Sequence, residues 1–143
     1  MSDIDQTPQW LDRIVSLELL AVYNNYQYLL RSIIDSPWPF KDRETFTCVN
    51  TDFTKTIITI KIFSCSKLVS IDAQYLRLLQ VESSWTIKEI SESLVEINYK
   101  TWIDPSGNVP AFIFNSELIS NTKDSLNKLQ KIIKNSSLGQ YSY

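Results

Sequence analysis

The feature that most constrains this sequence is a change of hydrophobic period at residues 104–108. Before it, apolar and polar residues alternate with period 2, most clearly in 94–104, where Val95, Ile97 and Tyr99 share one face. After it, apolar residues recur at spacings of three and four, which predicts one amphipathic helix of about 25 residues. The predicted apolar stripe consists of Phe112, Ile119, Thr122, Leu126, Leu129 and Ile133.

The part before residue 104 divides into short strands separated by turn residues. Asn24-Asn25 is a turn signal, and Pro37-Trp38-Pro39 predicts a bend because proline cannot donate to a β-ladder. Strands are predicted near 14–23, 26–34, 45–52, 56–63, 73–79, 84–90 and 94–104. The expected fold is α+β: a curved antiparallel sheet of about six strands wrapped around the C-terminal helix. Residues 1–143 are predicted as one domain, with 136–143 as a disordered tail.

Composition excludes several classes of site. The chain has no histidine, which removes Ser-His and Cys-His catalysis, and its two glycines cannot form a phosphate-binding loop. A net charge of −2 gives no electrostatic basis for nucleic-acid binding. We expect no catalytic residue, no metal site and no cofactor.

A disulfide between the two cysteines, Cys48 and Cys65, is possible, but the sequence does not indicate one, and they are predicted to be reduced thiols within strands. A turn centred near Thr54 would place Cys65 opposite a residue near Glu44 instead of Cys48.

Neither a membrane span nor a signal peptide is predicted. No apolar run reaches the roughly 18 residues that a transmembrane helix needs, and residues 1–12 are polar and acidic. The chain as given is therefore expected in the cytoplasm, or exported if a signal precedes it.

Several short motifs occur in a fixed order along most of the chain. They are Thr7-Pro8-Gln9-Trp10, the run Trp38-Pro39-Phe40-Lys41-Asp42-Arg43-Glu44, Trp85-Thr86-Ile87, Asp104-Pro105-Ser106-Gly107, and Val109-Pro110 followed by Asn115. Together they resemble START domains, the StAR-related lipid-transfer members of the helix-grip or SRPBCC group, and most of all the bacterial START-like proteins. Glu44 stands where those domains usually have Asp, and Thr122 where they often have Pro. The chain also resembles a domain that lacks the N-terminal helix and first strand of the family.

This resemblance implies a non-enzymatic module that binds a lipid or other hydrophobic molecule between the sheet and the helix, for transfer or sensing. The predicted ligand-binding residues are Arg31, Ile58, Ile60, Ile62, Trp85, Ile97, Tyr99, Thr101, Phe112, Ile119 and Leu126. Periodicity alone predicts a filled core for the same apolar side chains. Arg31 is predicted either to meet the polar group of a ligand or to face solvent, and Asp42 and Arg43 to fix the bend that precedes them.

Residues 64–72 correspond to the loop that covers the cavity in START domains. Leu68 and Val69 are then the tip of a lid that opens for the ligand and makes transient membrane contact. An ordinary loop whose two apolar residues pack on the helix is equally compatible with the sequence.

Two other functions stay open. Polyketide aromatase/cyclases share this architecture, and Tyr99, Arg31 and Thr101 would be the polar groups of such an enzyme. A truncated remnant that binds nothing would instead associate, as a homodimer, through an open sheet edge.

Overall fold

The computed structural model describes residues 11, 13–37, 39–65 and 74–139, with side chains through 135. Its elements are β1 (Ile14–Asn24), β2 (Gln27–Ile34), β3 (Arg43–Phe53), β4 (Ile57–Ser64), β5 (Leu76–Arg77), β6 (Val81–Ser91), β7 (Leu94–Ile103) and α1 (Ala111–Gly139). The predicted α+β class is confirmed: one sheet followed by one long helix. The helix continues to Gly139, four residues into the segment predicted as a tail.

The strands form one sheet in the order β1-β2-β3-β4-β6-β7, and the short β5 pairs with β3. All pairings are antiparallel except that of β5 with β3. Ile60, Trp85 and Tyr99 stand side by side across β4, β6 and β7. We call the side that carries them the inner face, and the opposite side the outer face.

The turn between β3 and β4 contradicts the expectation of reduced thiols. Phe53 pairs with Ile58, so the turn is centred between Lys55 and Thr56, and Cys65 comes opposite Phe46 instead of Glu44. Cys48 is then the diagonal neighbour of Cys65 on the outer face, with a Cα–Cα distance of 5.8 Å, and the two form a disulfide.

The disulfide also bears on the segment 66–73, which lies outside the described residues. Cys65 precedes this segment and is bonded to β3 through Cys48. Residues Leu76–Arg77 follow it and pair in parallel with β3 at Arg43 and Glu44. Cys65 and Leu76 are therefore both attached to β3.

The turn before α1 depends on backbone conformations that suit glycine. The side chain of Asp104 accepts a hydrogen bond from the backbone of Ser106 at 3.0 Å, and Gly107 has a φ of +71°. A Cβ on Gly107 would meet the side chain of Leu76 at 3.0 Å. The carbonyl of Pro110 then accepts from the amide of Phe114 at 3.1 Å, which starts the helix.

The edge strand β1 is irregular. Its pairing with β2 shifts register at three places, which leaves Val15, Leu20 and Tyr23 as bulged residues. All three side chains are exposed. Within the described residues, no helix combines the length and the apolarity that a membrane crossing requires.

Candidate functional site

A cavity of about 210 Å³ lies between the inner face of the sheet and α1. Its walls are mainly apolar and come both from the sheet side and from the helix. They include Ile14, Ile34, Leu78 and Ile103 from the sheet side, and Ile113, Phe114, Leu118 and Leu126 from the helix. Strand alternation places the first group on one face, and the helical period of α1 aligns the second group.

The floor of the cavity is aromatic. The rings of Trp85 and Tyr99 lie 4.3 Å apart between centroids, because the two residues are paired across β6 and β7. The hydroxyl of Tyr99 is 3.5 Å from Ser83 Oγ, which in turn lies 2.7 Å from Thr101 Oγ1. This end of the site is polar but neutral.

The mouth of the cavity carries a charged group that joins sheet to helix. Arg13 contacts Asp35 at 2.9 Å and Glu117 of α1 at 3.5 Å. All three side chains are more than a third exposed, so these ion pairs contribute little stability. The positive charge of Arg13 is nevertheless matched by two carboxylates.

Arg43 differs from Arg13, because it lines the same cavity with only 6% of its surface exposed. Its Nε donates to the carbonyl of Pro105 at 3.3 Å, and Nη1 donates to Ser36 Oγ at 3.0 Å and to the carbonyl of Lys41. All three acceptors are neutral. Burial accordingly lowers the pKa of Arg43, and only the nearby charge of Asp42 opposes this effect.

A buried hydroxyl without a partner lies on the same strand face. Thr45 is 4% exposed, and its hydroxyl oxygen has no hydrogen-bond partner among the residues that the structure describes. Buried polar atoms are nearly always paired, so this hydroxyl is an exception. The inner face thus carries an unmatched charge and an unmatched hydroxyl two residues apart.

The outer face shows a different arrangement around Glu44. Its carboxylate is bound at 2.6 Å by Nη2 of Arg31 and at 2.7 Å by Nη2 of Arg77. Nε of each arginine also donates to it. The guanidinium of Arg77 lies 4.4 Å from the ring centroid of Phe46. The hydrogen bond to Glu44 raises the pKa of Arg31.

The structure separates the predicted ligand-binding residues into three groups. Trp85, Tyr99 and Leu126 line the cavity. Ile58, Ile60, Ile62, Ile97 and Thr101 lie on the inner face but outside the cavity wall. Arg31, Phe112 and Ile119 lie elsewhere.

Arg31 is corrected first. It pairs with Phe46 on the outer face, where Glu44 and Glu18 surround it, and so it does not reach the cavity. The parity of β2 decides this, because Ile34 lines the cavity and Arg31 is an odd number of residues away.

Phe112 and Ile119 are corrected next, since they are 75% and 58% exposed on the far side of α1. The helix presents Ile113, Phe114 and Leu118 to the cavity instead. Because apolar residues are adjacent at 113–114 and at 118–119, the sequence is compatible with two different apolar faces of α1, and both faces include Thr122 and Leu126. The face that lines the cavity also carries the polar Glu117 and Asn121, which made it look less apolar than the other.

Arg43 is the main residue that sequence reasoning missed as a cavity group. The sequence predicted only its role at the bend, and the hydrogen bonds to Lys41 and Ser36 bear that role out. Alternation puts Arg43 on the same face as Val49, but Phe46 on the opposite face is also buried, so strand parity alone did not show that Arg43 faces the cavity.

The predicted lid residues Leu68 and Val69 lie outside the described residues. Within the described part, no three His, Cys, Asp or Glu side chains cluster in a way that would hold a metal ion.

Comparison with known proteins adds evidence on the fold. No family model matches the sequence, and no curated protein does. Among solved structures, a STAR-related lipid transfer protein from Xanthomonas axonopodis (fragment 25–204) matches with a TM-score of 0.79 and 16% identity. The match covers 92% of this chain and 74% of that one.

Two human structures match in the same way. STARD10 gives a TM-score of 0.76 at 15% identity, over 99% of this chain and 60% of that one. The lipid transfer and protein localization domain of StarD13 (DLC2) gives 0.70 at 14% identity, over 89% of this chain and 70% of that one. The chain therefore has the START-type helix-grip fold and spans about three fifths to three quarters of these structures.

Proposed function

We propose that this chain binds a lipid or other hydrophobic small molecule in the cavity between the inner face of the sheet and α1, without catalysing a reaction. The observation that carries the proposal is the cavity itself, an apolar space with an aromatic floor and a charged mouth. Ligand sites commonly combine apolar walls with a few placed polar groups. The similar structures named for lipid transfer support the same function.

Binding would draw on burial of apolar ligand surface. Each 100 Å² of apolar surface removed from water contributes roughly 2.5 kcal/mol before the costs of ordering the ligand are subtracted. The cavity volume of about 210 Å³ is below the 300–1,000 Å³ common for ligand pockets. We therefore expect a small or slender ligand, or an outward movement of α1 when a larger one enters.

A binding role fits the polar groups of the site better than a cyclase-like reaction does. Arg13, Asp35 and Glu117 are tied to one another at the mouth. Beside the floor, the hydroxyl of Tyr99 contacts Ser83, and Ser83 contacts Thr101. A general acid or base needs a titratable group aimed at the substrate, and these groups are engaged among themselves. Transfer of the ligand between membranes, or sensing of it, is the role that we propose for the bound state.

Two adjacent helix positions provide a matched test. Leu118→Trp places an indole in the cavity, whereas Ile119→Trp places the same group on the exposed side of α1. Native mass spectrometry of the purified proteins, followed by extraction of any released molecule, measures occupancy. We expect the wild type and Ile119→Trp to carry a ligand of a few hundred daltons, and Leu118→Trp to carry much less.

Folding has to be checked in the same samples, since an inserted indole costs about 1–3 kcal/mol when a core is overpacked. Circular dichroism and thermal unfolding serve this purpose. An empty wild type that also fails to bind added hydrophobic ligands would refute the proposal. Empty dimers in the same spectrum would favour association through the β1 edge.

A further inference from the structure

We propose that the ligand of this cavity is an anionic amphiphile, with a carboxylate-sized head group bound by Arg43 and its apolar chain lying against Trp85, Tyr99 and α1. This inference rests on the proposed function and names the chemical class of ligand for the same site. It concerns the inner face only and assigns no role to Arg31.

The free donors of Arg43 carry the argument. A guanidinium has five N–H groups, and Nε and Nη1 use theirs on Pro105, Ser36 and Lys41. Nη2 donates to no described residue, although only 6% of the surface of Arg43 is exposed. Two N–H groups of a buried cation are thus available at the cavity wall.

The charges around the cavity point to a negative partner. Arg13 is matched by Asp35 and Glu117, and Arg31 and Arg77 are matched by Glu44 on the other face. Arg43 forms no ion pair with any described carboxylate, and Asp42 instead accepts a hydrogen bond from the backbone of Ser36 at 3.0 Å. A buried charge without a counterion is costly, so an anion that enters the cavity gains both charge compensation and two hydrogen bonds.

The remaining walls determine the rest of the ligand. Phe40 lies beside the guanidinium, with its ring centroid 6.0 Å away, and the helix contributes apolar side chains together with polar ones such as Glu117 and Asn121. Arg13 also lines the cavity but is paired with Asp35 and Glu117, so Arg43 is the cation that suits a single head group on a short chain in this space of about 210 Å³. A neutral head group could accept hydrogen bonds from Nη2, but it would leave the charge of Arg43 uncompensated.

The test compares two ligands of nearly equal size, one anionic and one neutral. Decanoic acid and decanamide are titrated into the wild-type chain at neutral pH by isothermal titration calorimetry. We expect the acid to bind at least about tenfold more tightly, because hydrogen bonds to charged groups are the stronger ones. The matched variants are Arg43→Met and, for an exposed cation on the outer face, Lys100→Met.

Arg43→Met should bring the affinities for acid and amide to within about threefold of each other, while Lys100→Met keeps the wild-type ratio. If Arg43→Met does not fold, the wild-type ratio still decides whether the ligand is an anion. Equal or tighter binding of decanamide by the wild type overturns the inference and leaves the proposed function standing. Binding of neither compound overturns both.

Discussion

Arg43 and Glu44 are consecutive residues of β3, and they place a buried charge on each face of the sheet. Glu44 on the outer face is held by two arginines, so positive and negative charges meet directly. Within the described part of the chain, Arg43 on the inner face donates its hydrogen bonds to neutral oxygens. The outer face is also joined covalently by Cys48 and Cys65, whereas the inner face opens onto the cavity.

The contrast suggests two roles for buried charge: the charges around Glu44 stabilise the fold, whereas the charge of Arg43 is available to bind a ligand. A buried ion pair stabilises a fold only when every partner is present, because a lone remaining charge is strongly unfavourable. The outer face meets that condition within the chain itself. The inner face leaves Arg43 unmatched, and the unmatched charge is the group that a ligand can complete.

The largest expected effect follows from neutralising the centre of the outer cluster. Glu44→Gln removes the carboxylate charge that joins Arg31 to Arg77, and Arg77 is almost fully buried. We expect the free energy of unfolding to fall by about 3–5 kcal/mol, as when a buried ion pair loses one partner. Urea denaturation followed by circular dichroism measures the change.

Glu18→Gln is the control for that experiment. Glu18 contacts the same Arg31 at 3.6 Å but is 57% exposed, so its removal should cost less than about 1 kcal/mol. A similar loss of unfolding free energy in both variants would mean that the burial of Glu44 does not determine how much its ion pairs stabilise the fold.

Reduction of the disulfide tests the covalent part of the outer face. Cys48 and Cys65 are 17 residues apart, and a crosslink over such a loop contributes about 3 kcal/mol in the chain-entropy model. Dithiothreitol should lower the denaturation midpoint of the wild type to that of Cys48→Ala/Cys65→Ala. A wild type whose midpoint does not respond to reductant, or whose thiols titrate as free, would show that the outer face is not crosslinked.

The same substitution on the two faces sharpens the comparison further. Arg43→Met removes hydrogen bonds to neutral oxygens and leaves no buried charge behind, so we expect a loss of about 2 kcal/mol. Arg77→Met takes two hydrogen bonds from the buried carboxylate of Glu44 and should cost more. Thermal unfolding of the two variants without ligand gives the ranking, and the reverse order would contradict the distinction between the faces.

Features that depend on residues close together in the sequence could be predicted from it, whereas features that depend on distant residues could not. Strand alternation is local, and it correctly placed Trp85 and Tyr99 on the inner face next to the helix. The same rule puts Arg43 on the face of Val49, but it did not show that this face lines the cavity, because Phe46 on the opposite face is also buried. The class of fold follows from such local periods together with the change of period near residue 104.

Features that depend on pairing could not be obtained in this way. A shift of the β3–β4 turn by one residue changes which residue faces Cys65, and this decided the error about the disulfide. Arg77 reaches Glu44 only because β5 returns to β3 after residues 66–73, and no local pattern encodes that return. The cavity-facing side of α1 was ambiguous because apolar residues occupy more than one side of the helix. Phe112 and Ile119 were therefore predicted to face the ligand, although both are exposed.

The smallest expected effect concerns the unpaired hydroxyl of Thr45 on the inner face. Thr45→Val replaces it with a methyl group of similar size, so a buried polar atom without a partner is removed. We expect the free energy of unfolding to rise by about 1 kcal/mol, whereas Thr45→Ser, which keeps the hydroxyl and loses the methyl group, should lower it. Urea denaturation of both variants in the absence of ligand measures this difference. A loss of stability in Thr45→Val would show that the hydroxyl has a partner in solution, and the inner face would then hold only one unmatched group, Arg43.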